Sequence, residues 1–296
     1  MQPNKISTRV GRGCVTLIAV VLLAGCTVAR LGYEMLPWFA LWQLERHLSL
    51  DSAQRGLASD RLDSLHAWHR QTQMPRYATL IDAAVSRLDA PLTAGDLGAW
   101  RAQMFALWQA PAERIAPDLA DLALTLRPAQ IDRLERRLSD STAELRRKSL
   151  GGSADERLEA RIERWQERME WLLGDLNAAQ RAELRRLASA QPSDEAAWLD
   201  ERQARNERLV RLARRIAKER PSREQAIAWS TELLEGFWQS EDPERARRLA
   251  ANAENGDRVA AAMLNTASRS QREHMRAKLG DIERDVLRMI SRATRP

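Results

Sequence analysis

The chain has 296 residues, 44% hydrophobic and 30% charged, with 47 Lys and Arg against 41 Asp and Glu and a net charge of +6. Its two cysteines, Cys14 and Cys26, both fall near the start, so the rest of the chain has no thiol for a disulfide framework or a cysteine metal site. Ten tryptophans against two tyrosines and three phenylalanines are an unusual aromatic balance that packing or binding must account for.

The first element is a targeting segment. Lys5, Arg9 and Arg12, without an acidic residue, precede the apolar run Val15 to Leu23, and Leu23-Ala24-Gly25-Cys26 follows. A basic start, a short apolar core and a small-residue site make a secretory signal over residues 1–25. The apolar run is shorter than the roughly 20 residues that span a bilayer. Leu-Ala-Gly-Cys resembles the lipobox of bacterial lipoproteins. That resemblance implies cleavage before Cys26, a diacylglycerol thioether on it, and N-acylation. Thr27, where an aspartate would favour the inner membrane, implies an outer-membrane location on the periplasmic face. The processed chain would keep 271 residues, 44 basic against 41 acidic, a net charge of +3. An exported chain meets no nucleic acid, so the expected partners are the membrane, through the lipid, and protein clients or one envelope partner.

The rest reads as helix throughout, an all-α fold of antiparallel hairpins or a bundle with room for an elongated arrangement. Ala, Leu, Arg, Glu and Gln dominate, and no run alternates with period two. After a tether over 26–33, helices are expected at 34–48, 52–72, 75–89, 94–109, 112–124 and 128–148. Following the Leu150-Gly151-Gly152-Ser153 break they are expected at 154–174, 178–190, 194–219, 223–239, 243–253 and 257–290. The first unit would thus be 34–150 and the second 154–296. Apolar seams step by four and three along Leu158, Ile162, Trp165, Met169, Leu172 and Leu176, and along Met275, Leu279, Ile282, Val286 and Met289. Ile131, Leu134, Leu138 and Leu145 make a third. The charge run of Glu159 and Glu163 with Arg161, Arg164 and Arg168 reads as a solvated face. Capping boxes mark starts at Asp51/Gln54, Ser153/Glu156, Asn177/Gln180, Ser222/Gln225 and Ser268/Gln271; Arg127-Pro128 and Asp242-Pro243 mark two more.

The two units share an order of landmarks. Trp42 with Leu50…Gln54 matches Trp171 with Leu176…Gln180. Trp68 matches Trp198, Leu92–Trp100 matches Pro221–Trp229, Trp108-Gln109 matches Trp238-Gln239, and Gln130 matches Gln271. Four tryptophan pairs in one order point to a tandem duplication, a monomer with an internal pseudo-dimer. The tryptophan pairs are expected in the duplicated cores. Trp38, Phe39 and Trp42, close behind the anchor, suit either the membrane interface or a place against the bundle.

Leu50…Gln54, Leu126…Gln130, Leu176…Gln180 and the degraded Ala267…Gln271 are similar to the LTXXQ motif of the Spy and CpxP group of periplasmic proteins. Asp51, Arg127, Asn177 and Ser268 stand where that motif has threonine. The resemblance implies small helical units acting as envelope-stress chaperones or regulators. Over nearly the full length, the lipobox, the tryptophan-rich first helix, Trp68-His69-Arg70, Pro75-Arg76-Tyr77 and Ala116-Pro117-Asp118-Leu119 together resemble an uncharacterised family of proteobacterial lipoproteins, which implies architecture and location but no activity.

No nucleophile elbow, phosphate-binding glycine loop or His-Glu-x-x-His is present, so no catalytic residue and no cofactor is assigned and a non-enzymatic role is expected. Asp63, His66 and His69 can share a helix face, and two such histidines could bind zinc or copper, but without further ligands they make a weak site, so no metal is assigned and a metal-responsive role through His66 and His69 is a minor third reading. The function that fits these readings is holding protein clients, or regulating an envelope sensor, on an apolar and basic concave face. The alternative is an adaptor that docks a single envelope partner.

Overall fold

A computed structural model of the chain describes residues 25–190 and 194–291, with side chains from Arg30 onward; the signal segment 1–24, including Leu23 and Ala24, and the side chains of Gly25 to Ala29, Cys26 among them, lie outside the described residues. The described residues are all-α, without a strand. The helices are α1 (Gly25–Glu34), α2 (Leu36–Leu48), α3 (Ser52–Thr72), α4 (Met74–Ser86), α5 (Ala94–Ala106), α6 (Gln109–Thr125), α7 (Pro128–Leu150), α8 (Ala154–Leu173), α9 (Ala178–Ala190), α10 (Glu195–Glu219), α11 (Arg223–Glu235), α12 (Pro243–Asn265) and α13 (Arg269–Ser291). None of them is long and apolar enough to cross a membrane.

Most ends lie where the capping chemistry puts them. At α3, Asp51 accepts from the Gln54 amide at 3.0 Å while Gln54 Oε1 accepts from the Asp51 amide at 3.1 Å. Ser153 with Glu156 and Ser222 with Gln225 repeat the exchange at α8 and α11. A further box at α5, Thr93 with Asp96, belongs to the same set. One expectation fails. The break near residues 253–257 does not exist: α12 runs through Gly256 to Asn265, and α13 begins at the Ser268/Gln271 box. Asn255-Gly256 carries no breaker strong enough to stop a helix whose flank is packed, with Gly256 facing the Trp165 ring.

Packing runs across the glycine break. α6 lies against α11, α7 against α10, α5 against α12 and α4 against α13, while α8 and α9 pair with each other as α2 and α3 do. Each of the first four contacts joins one half of the chain to the other. The α6–α11 seam is built on small residues: Ala112, Ala116 and Ala120 of α6 and Ala226 and Ser230 of α11 are fully buried. Such residues let two helices approach closely. A larger core joins Met169, Leu173, Leu176, Leu184, Val259, Met263 and Met275, from α8, α9, α12, α13 and the α8–α9 turn. A second core joins Leu48, Leu122, Ile131 and Leu134 of the first half to Val210 and Ala213 of α10.

The expectation that the matched tryptophans fill the cores holds only in part: Trp108 and Trp229 are half-buried and pack against core clusters, while Trp100 and Trp238 are exposed. None of the ten is fully buried, and Trp38, Trp42, Trp100, Trp198 and Trp238 are exposed. Alanine seams and Leu/Met layers leave no indole-sized space. The rings lie over helix margins, with N–H groups satisfied where they turn inward: Trp108 donates to the Leu234 carbonyl at 2.9 Å and Trp100 to the Leu80 carbonyl at 3.3 Å.

Candidate functional site

The motif glutamines form two matching clasps rather than a surface. Gln54 Nε2 donates to the Thr125 carbonyl (2.9 Å) and to Gln130 Oε1 (3.2 Å), and Gln130 Nε2 donates back to Gln54 Oε1 (2.7 Å) and to the Ser49 carbonyl (3.2 Å). In the second half, Gln180 Nε2 donates to the Thr266 carbonyl (3.2 Å) and Gln271 Oε1 (2.9 Å). Gln271 Nε2 donates to Gln180 Oε1 (3.1 Å) and the Asp175 carbonyl (2.9 Å). Each glutamine oxygen also closes its own capping box. Gln54, Gln130 and Gln180 are buried, and the leucines beside them pack inward, Leu176 buried and Leu50 and Leu126 partly so. A motif whose polar atoms are this fully engaged holds helix starts together and offers nothing to a ligand.

The histidine pair is also engaged. Tyr33, buried at the end of α1, shares a hydrogen bond of 3.0 Å between its hydroxyl and His69 Nδ1, and its ring centre lies 4.4 Å from that of His66. Tyr77 covers the other side of His69 at 5.6 Å, and Arg70, paired with Glu34 at 2.6 Å, lies over the Tyr33 ring. Asp63 is exposed, and among the described residues no three His, Cys, Asp or Glu side chains converge on a metal position. The contacts instead fasten α1 to α3 and α4. Burial holds both histidines below the ordinary imidazole range, helped at His66 by Arg70 and at His69 by His66, and pushes Tyr33 up to about 12. The unfolded chain therefore takes up protons on these histidines at higher pH than the folded one. Stability is expected to fall as the pH drops from about 6.5 until the native histidines themselves protonate. Urea midpoints measured down that range test this, and a His69→Phe chain should show a shallower loss.

The open site is a cleft of about 750 Å³ formed mostly by helices of the second half, with the end of α7 from the first. Arg161, Arg164, Trp165 and Arg168 of α8 form one wall, Trp198 and Glu195 of α10 another, Leu145 of α7 one end, and Leu249 and Ala253 of α12 the floor. The α8 arginines, read from sequence as a solvated face, are thus one side of a concavity, while Glu159 on the same helix does face solvent and pairs with Arg185 at 2.7 Å. Arg168 lies over the Trp165 ring at 5.6 Å and has no ion pair among the described residues. Arg161 reaches the Ala188 carbonyl at 3.0 Å, and Arg164 pairs with Glu195. The start of α10 is clamped to α12: Arg248 makes two bonds to Asp194 (2.5 and 3.0 Å), and Asn252 exchanges bonds with the Asp194 backbone (both 2.8 Å). The Arg248 guanidinium holds the Asp194 carboxyl below its ordinary range. The walls are fixed before anything binds. Cationic forks beside two indoles suit a segment that is apolar and anionic together.

A second groove of about 430 Å³, between α7 and α10, is lined by Leu138, Thr142, Arg146, Asn206 and Arg214 and contains no aromatic ring. At the α5–α6 and α11–α12 corners the matched tryptophans meet, Trp108 and Trp238 edge to face at 5.7 Å, with Phe105, Phe237 and Arg205 around them.

A family model matches residues 46–241, about two thirds of the chain, and its description is a family of unknown function, DUF6279. The chain belongs to the DUF6279 family. The matched region contains the first clasp, the Gln180 side of the second, and three of the cleft's walls, and it leaves out the lipobox segment and the last two helices. Neither the curated proteins nor the solved structures give a match.

Proposed function

We propose that this DUF6279 chain is a non-enzymatic lipoprotein, anchored by Cys26 in the outer membrane and facing the periplasm, that docks one envelope partner through the Arg/Trp cleft. The observation that carries the reading is the cleft itself: Trp165 and Trp198 beside Arg161, Arg164 and Arg168, held by the Asp194–Arg248–Asn252 clamp. Tryptophan and arginine in a preorganised concavity are the residues that dominate specific interfaces, whereas promiscuous holders use flexible, often Met-rich surfaces. The basic, apolar and lipobox residues at 5–26 support the compartment and the lipid.

The Spy-like client-holding reading ranks second. It is favoured by the exposed aromatic corner of Phe105 and Trp238, apolar surface away from the cleft that an adaptor does not require. The paired landmarks are further read as a duplicated unit, supported by the two glutamine clasps and by contacts in which α2–α3 is mirrored by α8–α9 and α3–α6 by α9–α12. On this reading the chain is a monomer containing its own pseudo-dimer.

One experiment separates the two. The soluble chain from Thr27, titrated into two unrelated unfolding proteins, is expected to leave their light scattering unchanged if it is an adaptor. Suppression of both in proportion to stoichiometry would favour client holding and overturn the adaptor order.

A further inference from the structure

The junction of α1 and α2 presents an apolar stripe that the fold leaves uncovered. Backbone bonds from Met35 to the Leu31 carbonyl (3.1 Å) and from Phe39 to the Met35 carbonyl (2.9 Å) carry the helical path through the junction. Leu31, Met35, Trp38 and Trp42 therefore step by four, three and four along one face; Leu36, exposed as well, lies off that line. All five are between 40% and 60% exposed. The opposite face is already used: Tyr33 and Leu48 are buried and Leu44 packs with the first core. Folding therefore accounts for one apolar side of this segment and not for the other, and large contiguous apolar surface on a helix pair calls for a binding surface.

We infer that this stripe lies in the interfacial layer of the bilayer to which the chain is anchored, so that the first two helices are a docking foot and not a free tether. The inference rests on the lipid reading of Cys26 and adds the surface that meets the membrane. Cys26 is only five residues before Leu31, about 7.5 Å along a helix axis, so an acyl-modified Cys26 holds the stripe at headgroup depth. The chemistry matches that layer. Two indoles with Leu31 and Met35 suit the boundary between headgroups and acyl chains, and Phe39 lies tilted against Trp42 at 5.6 Å. The charge also matches anionic headgroups. The acids of residues 30–48, Glu34 and Glu45, are both neutralised within the fold, by Arg70 and Arg55. Arg46 lies over the Trp42 ring at 5.6 Å, where its head can reach phosphate while its stem covers the indole, and Arg30 flanks the other end.

The test uses the full chain, made in a bacterium that processes it and reconstituted into vesicles of phosphatidylethanolamine and phosphatidylglycerol. Trp38→Cys and Met35→Cys place a thiol-reactive fluorophore in the stripe, and Arg269→Cys, whose side chain is 94% exposed, places it at the start of α13. The parent chain, labelled alike, supplies the background, and circular dichroism checks that each variant is helical. The inference predicts several-fold weaker iodide quenching at 35 and 38 than at 269, with a blue-shifted emission. Equal quenching at the three positions in folded protein overturns it. The mass of the N-terminal peptide is read on the same sample, so that an unmodified Cys26 counts against the anchor reading, while the quenching ratio alone decides the docking foot.

Discussion

Replacing Glu201 by alanine is expected to cost about 3–5 kcal/mol, the range for removing one partner of a buried ion pair. Glu201 lies inside α10 with its side chain 6% exposed. Arg208, two turns further along α10 and 9% exposed, donates to one carboxylate oxygen at 2.9 Å, while Arg245 of α12 approaches the other at 3.1 Å. Arg208 also donates to the Gln239 carbonyl at 3.1 Å and Arg245 to the Ser240 hydroxyl at 3.1 Å, so the group fixes the turn between α11 and α12. Without the carboxylate, both guanidinium groups lose their buried counter-charge, and Arg208 keeps only the exposed Glu241 at 3.4 Å and Arg245 only Asp242 at 3.8 Å. Glu201→Gln keeps part of the hydrogen bonding and should fall between the parent and the alanine variant. Glu201→Leu combined with Arg208→Met should recover much of the loss, because an apolar pair of similar volume no longer buries charge, and Arg245 retains Ser240 and Asp242 nearby. Denaturant unfolding of the three variants checks the order. A loss below about 1 kcal/mol in the alanine variant would mean that the interior tolerates the bare arginines and that the triad does not hold the turn.

The glutamine clasps carry the second large effect. Gln54→Ala removes a capping-box acceptor and strands the buried Gln130 amide and the Thr125 carbonyl at once. Cap loss and unmet buried groups together amount to about 2–4 kcal/mol. Gln180→Ala should cost a similar amount, since its bonds repeat those of Gln54 atom for atom. The double change Gln54→Ala with Gln130→Ala should cost less than the two single changes summed, since each single variant already disables the shared bond, whereas Gln54→Ala with Gln180→Ala should add. Unfolding free energies of the three single and two double variants settle the pattern. If Gln54→Ala and Gln130→Ala were additive, the reciprocal bond between them would contribute nothing.

Local chemistry was the legible part of the sequence. The Asp51/Gln54 box and Asn177 with Gln180 placed α3 at 52–72 and α9 at 178–190, because a capping box is an interaction among four neighbouring residues and needs no knowledge of the fold. The all-α class followed from composition and the 4-3 seams, whose Ile162, Met169, Met275, Val286 and Met289 are buried as the spacing implied. The remainder depended on which helix lies beside which. Glu201, Arg208 and Arg245 carry no local signal of a triad, since two are seven residues apart and the third is on another helix. The cleft draws on five helices, so Arg161, Arg164 and Arg168 looked like any solvated stripe until α10 and α12 were placed opposite them. The tryptophans misled in part, for a related reason: a large apolar residue repeated in both halves suggests a core, but the cores are closed by alanine and leucine, and the indoles are left at corners and rims. Gly256 looked like a break because its neighbour Trp165, nearly a hundred residues earlier, is invisible in the local sequence.

The most direct measurement is site-specific photocrosslinking in the bacterial envelope, with a benzophenone side chain at Trp198 in the cleft wall of the full-length chain and a second at Ala102, exposed on α5. The account predicts one discrete protein adduct from position 198, none matching it from position 102, and its loss when Arg168→Glu reverses the cleft charge in a chain that stays folded and anchored. A ladder of many adducts from 198, or the same adduct undiminished by Arg168→Glu, would contradict the reading of the cleft as the docking site of one partner.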